Sequence, residues 1–439
     1  MSGSWPSPFG TVRRERACGQ DNHAGPYHRD MPGPLADILV IDLSRALAGP
    51  HAAMLLADQG ARVIKVEAPV HGDDTRGWGP PFLYPDGADR ESTYFLSCNR
   101  NKESITLDLK SPDGVAVLTA LVSRADVLVE NFRTGVLDRL GFTMSRLLEL
   151  NPRLVVLSIT GFGHDGPDGG RAGYDQIAQG EGGLMSLTGP SPDEPTKAGV
   201  PIADLLAGIN GACGVVAALH ERGRTGHGQI VRTSLLAGMI GVHAFQGTRY
   251  TVAGEVPTTA GKYHPSICPY GLFEAADGLV QIAVGSESLW RAFAAAFDLD
   301  RPEWSTNAGR VAHRDAVGDA VNAAFSAYRR TYLISKLAAT GTPAGLVRNL
   351  EEVYTWEQTR SQGLLIDVEH ESLGTLTLPG PVLRYDFGPP MQHRAPPTLG
   401  QHNASIRSWL ADEPLADVPH PDEPLADEPH PDDGGDPDA

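Results

Sequence analysis

Apolar residues in this chain fall into short, nearly unbroken runs, and these alternate with amphipathic stretches. Residues 36–43 (ADILVIDL), 61–67 (ARVIKVE), 126–130 (DVLVE) and 154–160 (LVVLSIT) have the length and β-branched content of strands buried on both faces. Between the first two, Gly49-Pro50 opens a helix that continues to Gln59 and stops at Gly60. A strand over residues 99–110 leads to Ser111-Pro112, an N-cap with a first-turn proline, and to a helix over 113–125. Strands joined in this way form right-handed crossovers in a parallel sheet. The predicted fold class is α/β, with an open, Rossmann-like sheet. Ligands in such sheets sit at the carboxyl ends of strands, where Asn131, Phe132 and Thr160 fall.

From about Arg249 the texture changes. A connector over 261–271 precedes a strand-turn-strand whose turn is Asp277-Gly278, then helices carrying Trp290 and Phe293. This predicts a smaller α+β domain, closed near Thr342-Pro343-Ala344-Gly345. Residues 373–385 are strand-like, and a last helix ends near Leu410. The predicted organisation is a disordered extension over 1–33, a large α/β domain over 34–248 and 346–410, and a linker with the small domain over 249–345. A disordered tail over 411–439 completes it. That tail repeats one ten-residue unit, DEPLADVPHP then DEPLADEPHP, whose proline and charge prevent a core.

The tail also distorts the charge. The chain carries a net −18, but residues 411–439 hold eleven Asp and Glu without Lys or Arg, which leaves −7 for the rest. A mildly acidic body gives no support to nucleic-acid binding, and an anionic ligand must be held by a few local cations and helix ends. Cys18, Cys98, Cys213 and Cys268 lack metal-ligand or disulfide-framework spacing, so no metal site is predicted. Without a secretory signal or a membrane-spanning run, a cytoplasmic location with no membrane partner is expected. The turn at Ser44–Pro50 has one glycine where a nicotinamide fold needs GxGxxG, so Glu67 is weak support for ribose binding.

The most informative stretch is Gly199-Val-Pro-Ile-Ala-Asp204, which opens a long apolar helix studded with Ala207, Gly208, Gly211, Ala212 and Gly214. These small residues let a bulky neighbour approach the backbone. Asp204 reads in two ways: an N-cap, or a carboxylate nucleophile that a helix N-terminus keeps ionised.

Read in order, several segments resemble the class III CoA-transferases, the family of formyl-CoA and carnitine CoA-transferases, with alpha-methylacyl-CoA racemase as a relative. They are residues 43–50, 61–67, 101–110, Glu130-Asn131-Phe132, 137–142, Gly173-Tyr174-Asp175, Ile202-Ala203-Asp204 and 224–229. The resemblance runs from about Leu35 to Leu410. It implies a large α/β domain completed by the C-terminal segment, plus the small domain, in an interlocked homodimer. It implies transfer of CoA from an acyl-CoA thioester to a carboxylic acid, with CoA thioester as substrate and no permanently bound cofactor. Asp204 matches the nucleophile, which would form aspartyl anhydride and aspartyl-CoA thioester intermediates. Ala48, Leu107, Asp108, Lys110, Asn131, Phe132 and Arg139 would line the CoA site, and Tyr174 the acyl group. Leu47 stands where formyl-CoA transferases carry a glutamine, which speaks against formyl or oxalyl substrates. The loop over 263–269 is the expected active-site closure, with His264 structural. The alternative is an acyl-CoA racemase on the same fold. Racemase relatives place a histidine at the position that Tyr174 holds here, and tyrosine, with a pKa near 10, is a poor base.

Overall fold

The computed structural model describes residues 33–386 and 391–412, so the expected extension over 1–33 and tail over 411–439 lie almost wholly outside the described residues. Its centre is a six-stranded parallel sheet. The strands run in the order Lys102–Thr106, Arg62–Glu67, Leu39–Asp42, Val127–Glu130, Val155–Thr160, Ile230–Ser234. The chain starts in the middle, winds to one edge, then returns and winds to the other. The reversal between Leu39–Asp42 and Val127–Glu130 leaves a crevice at the carboxyl ends of those two strands.

Alternation along each strand feeds two separate cores. Val40, Val63, Val127 and Val155 face the helices Ala48–Ala57 and Ile202–Thr225. Ile41, Ile64, Leu128 and Val156 face the helix Pro112–Val122 and the C-terminal helix Asn403–Asp412, which adds Ile406 and Trp409. The last helix thus completes the sheet that the N-terminal half began. It also protects the edge strand. Asn403 accepts a hydrogen bond from the Thr106 N–H at 2.8 Å, and the Arg62 guanidinium stacks on Trp409, 4.2 Å from the ring centroid.

The long helix Ile202–Thr225 has the length and hydropathy of a membrane span. It is nevertheless laid along the sheet, with Ala203, Ala207, Gly211 and Val215 buried. Its small residues serve the protein's own packing rather than a ligand. A Cβ on Gly208 would stand 2.7 Å from the Ala48 carbonyl oxygen, and one on Gly211 2.9 Å from Leu157.

A third core, from Cys268 to Leu346, has its own antiparallel sheet of Ala344–Leu346, Gly278–Ala283 and Tyr270–Ala275. Trp290, Phe293 and Phe325 fill its centre. The hairpin Leu365–His370 with Gly374–Pro379 departs from the single strand expected over 373–385. Its first strand is Leu-Ile-Asp-Val-Glu-His, where only Val368 and His370 are buried, so no apolar run marks it. The connector departs from the closure expected of it: no residue of the loop over 263–269 lines the main cavity, and His264 stacks instead on Phe245 and Tyr270.

Removing Trp409 tests whether the C-terminal helix completes the large body. Trp409→Ala is expected to cost about 3 kcal/mol or more, seen as a lower urea midpoint for whole-chain unfolding. An unchanged midpoint would show the helix to be peripheral.

Candidate active site

A cavity of about 710 Å³ occupies the crevice at the strand reversal. Its walls are the turn after the first strand (Arg45, Ala46, Leu47, Ala48), the end of the edge strand (Leu107, Asp108, Lys110) and the turn Asn131–Thr134. Tyr174 and Asp204 close its far end. Of the residues singled out in the sequence, Ala48, Leu107, Asp108, Lys110, Asn131, Phe132, Tyr174 and Asp204 all meet here. Arg139 does not: it ends the short helix Val136–Arg139, exposed, and only its neighbours Val136 and Leu140 reach the cavity.

Asp204 is not an N-cap. It is the third residue of its helix, behind Pro201 at the cap position. The cap comes from another helix. Asp175, first residue of Asp175–Glu181, accepts the Ala203 N–H at 2.8 Å and the Asp204 N–H at 3.3 Å through one carboxylate oxygen. Its other oxygen accepts from the Gln179 amide at 2.7 Å. Asp175 therefore uses the donors that would have stabilised a charge on Asp204. The Asp204 carboxylate makes no hydrogen bond to the described residues. Burial, and then the negative charge of Asp175, push its pKa up to about 7. This reverses the expectation that the helix end holds Asp204 ionised: the dipole is spent on its neighbour.

The surroundings of Asp204 are apolar on one side. Leu47, Met54 and Cys98 form a small cluster against which Tyr94 and Leu205 pack. Tyr94 was missed in the sequence. Burial and then the charge of Asp204 raise its phenol pKa to about 12, so it stays protonated near the carboxylate. Nothing local marks it, because the helix Thr93–Ser97 that carries it is one short turn far away in the chain.

Cations line the other side. Arg45, Lys110 and Arg133 have no carboxylate partner among the described residues, while Arg171 is paired with Glu181 at 2.8 Å and stacked on Phe162. Arg45 and Arg133 follow strand ends directly, so the carboxyl-end rule that found Asn131 and Phe132 also reaches them. Glu67 borders the cavity too, but Arg76 and Ser104 occupy its carboxylate, which leaves little for a ribose. Asn131 is equally occupied: its side chain accepts from the Arg45 N–H at 2.8 Å and donates to the Arg45 carbonyl at 2.7 Å. It builds the cavity wall.

The comparisons with known proteins agree with one another. The model of CoA-transferase family III matches residues 35–403. A succinate–glutarate CoA-transferase of Agrobacterium fabrum is 40% identical over 87% of this chain and 97% of its own. Human succinyl-CoA:glutarate CoA-transferase is 36% identical, covering 85% of each chain. Among solved structures, a CAIB/BAIF family protein from Brucella suis superposes with a TM-score of 0.77 at 38% identity, over 86% of this chain and 99% of that one. This chain belongs to the class III CoA-transferase family and is a CoA-transferase.

Proposed function

We propose that the protein exchanges CoA between two dicarboxylic acids, with Asp204 as the covalent carrier. The observation that carries this reading is the unpartnered, half-buried carboxylate of Asp204 at the end of the cavity. A carboxylate deprived of donors is a stronger nucleophile than one already hydrogen-bonded. It attacks the thioester carbonyl of the donor, and CoA leaves as a thiolate, giving a mixed anhydride. The thiolate attacks the aspartyl carbonyl, releasing the donor acid and forming an Asp204–CoA thioester. The acceptor carboxylate then displaces CoA, and the thiolate takes the acceptor's acyl group and frees Asp204. Each step passes through a tetrahedral oxyanion. The Leu47 and Ala48 N–H groups at the start of their helix have no hydrogen-bond partner among the described residues, and both residues line the cavity with Asp204, so these donors would steady that charge.

Arg45, Lys110 and Arg133 suit the phosphates of CoA, with Phe132 beside them. Arg139 takes no part in this placement. The dicarboxylate class rests on the relatives, named for succinate, glutarate and mesaconate. It is compatible with Leu47 in the cavity wall for a methylene chain and with Arg171 in the same cavity for the distal carboxylate.

A homodimer fits the outer surface of the long helix and its successors. Ile209, Ile240, Phe245 and Val252 are 46, 57, 48 and 83% exposed, an apolar face that a second copy covers. Light scattering on the purified chain is expected to give twice its mass, and a monomer at micromolar concentration would refute this.

Incubation with succinyl-CoA followed by hydroxylamine should mark a peptide containing Asp204. Asp204→Ala should lose that mark and at least a thousandfold in turnover, on the order expected for a covalent nucleophile. A mark on Asp175 or Glu181 instead would overturn the assignment.

A further inference from the structure

Directly beneath the cavity wall runs a chain of buried ions that no step above uses. Lys65 and Lys102, on adjacent strands, are 0 and 2% exposed, and Asp42 and Asp73 are 0 and 2% exposed. Lys102 pairs with Asp42 at 2.9 Å, Asp42 lies 3.9 Å from Lys65, and Lys65 pairs with Asp73 at 2.9 Å. Replacing such ions by apolar groups of equal volume is often neutral or stabilising, so stability alone is a poor account of them.

Their remaining bonds converge on one short stretch. Lys65 donates to the Ser44 carbonyl at 3.0 Å, and Lys102 donates to the Pro50 carbonyl at 2.9 Å. Asp42 accepts from the Ser44 N–H and hydroxyl. Asp73 accepts the Ala46 N–H at 3.2 Å, besides those of Thr75. The two lysines thus bracket the turn that carries Leu47 and Ala48. Within it, Ala46 has φ +63°, a left-handed conformation that a residue with a Cβ adopts reluctantly. Burial opposes charge on Asp73, but Lys65 and Thr75 outweigh it and bring the carboxyl down to about 2, so the bond to Ala46 is made by a carboxylate.

We propose that Asp73, backed by Lys65, is a positioning residue: it holds Ala46 in the left-handed turn and so aims the Leu47 and Ala48 N–H groups at the acyl oxygen on Asp204. This rests on the nucleophilic role given to Asp204 above. Asp73 touches no substrate and acts only through the turn, so its loss should weaken transition-state binding more than ground-state binding.

The test compares wild type, Asp73→Asn and the double variant Asp73→Asn/Ala46→Gly with succinyl-CoA and glutarate. Each is checked for folding by thermal melting. Asp73→Asn is expected to lower kcat at least tenfold with KM for succinyl-CoA within threefold. Glycine, which enters the left-handed region freely, is expected to restore at least threefold of that kcat. A folded Asp73→Asn with kcat within twofold of wild type would overturn the proposal, as would a loss confined to KM or one that Ala46→Gly does not relieve. Should Asp73→Asn fail to fold, Ala46→Val decides by the same criterion, since a β-branched residue forbids the turn while leaving every ion in place. Failure of wild type to acquire label at Asp204 would instead refute the carrier role itself, so the two outcomes are separable.

Discussion

Two carboxylates share one helix end, and the site depends on how that end divides its donors. A helix offers only a few free N–H groups at its start. Asp175 reaches across from a neighbouring helix and takes two of them, at Ala203 and Asp204. The carboxylate of Asp204 is left beside a bound negative charge, half-buried and without a hydrogen bond among the described residues. Its ionised form is consequently high in energy, and a pKa near 7 expresses that. In the proposed mechanism, covalent attachment of an acyl group removes the charge, so the same strain that raises the pKa would favour the reaction. Asp175 thus caps the helix and at the same time raises the energy of its neighbour's ionised carboxylate.

The fold supplies the second requirement, a rigid wall opposite Asp204, the proposed nucleophile. The parallel sheet reverses direction beside its first strand, and the turn leaving that strand stands over the crevice. Side chains from the strand itself, from the next two strands on that side and from Asn131 all grip this turn from behind. A sheet core of aliphatic residues cannot do this, because it has no donors or acceptors for a loop's backbone. The buried ions give the turn one geometry at the end of an otherwise apolar sheet. The C-terminal helix matters for the same reason at longer range, since it covers the edge strand that carries Lys102.

Much of this is legible in the sequence where the signal is local. Strands buried on both faces write themselves as apolar runs, and the central strands were found on that basis. The carboxyl-end rule located Asn131 and Phe132, and the ordered motifs singled out Asp204. What escaped is long-range. The cap on Asp204's helix comes from Asp175, twenty-nine positions away, so the carboxylate's missing donors have no sequence signature. Tyr94 approaches Asp204 from a one-turn helix 110 positions earlier in the chain. Arg139 was placed at the cavity by the family resemblance, supported by a guanidinium's fit to phosphate, yet its short helix turns it to solvent. The hairpin strand Leu365–His370 was passed over because it alternates without an apolar majority.

The central claim is that the reacting carboxylate is held at high energy by burial and by Asp175. Single-turnover acylation by succinyl-CoA, followed by rapid quench between pH 5 and 9, measures it directly. An acid with a raised pKa is mostly protonated below that value, so the acylation rate should rise about tenfold per pH unit below 7 and level off above it. In Asp175→Asn, which removes the neighbouring charge, the midpoint should move to lower pH. A rate already flat from pH 5 upward in the wild-type enzyme would mean that Asp204 has an ordinary carboxylate pKa, and the account would be wrong.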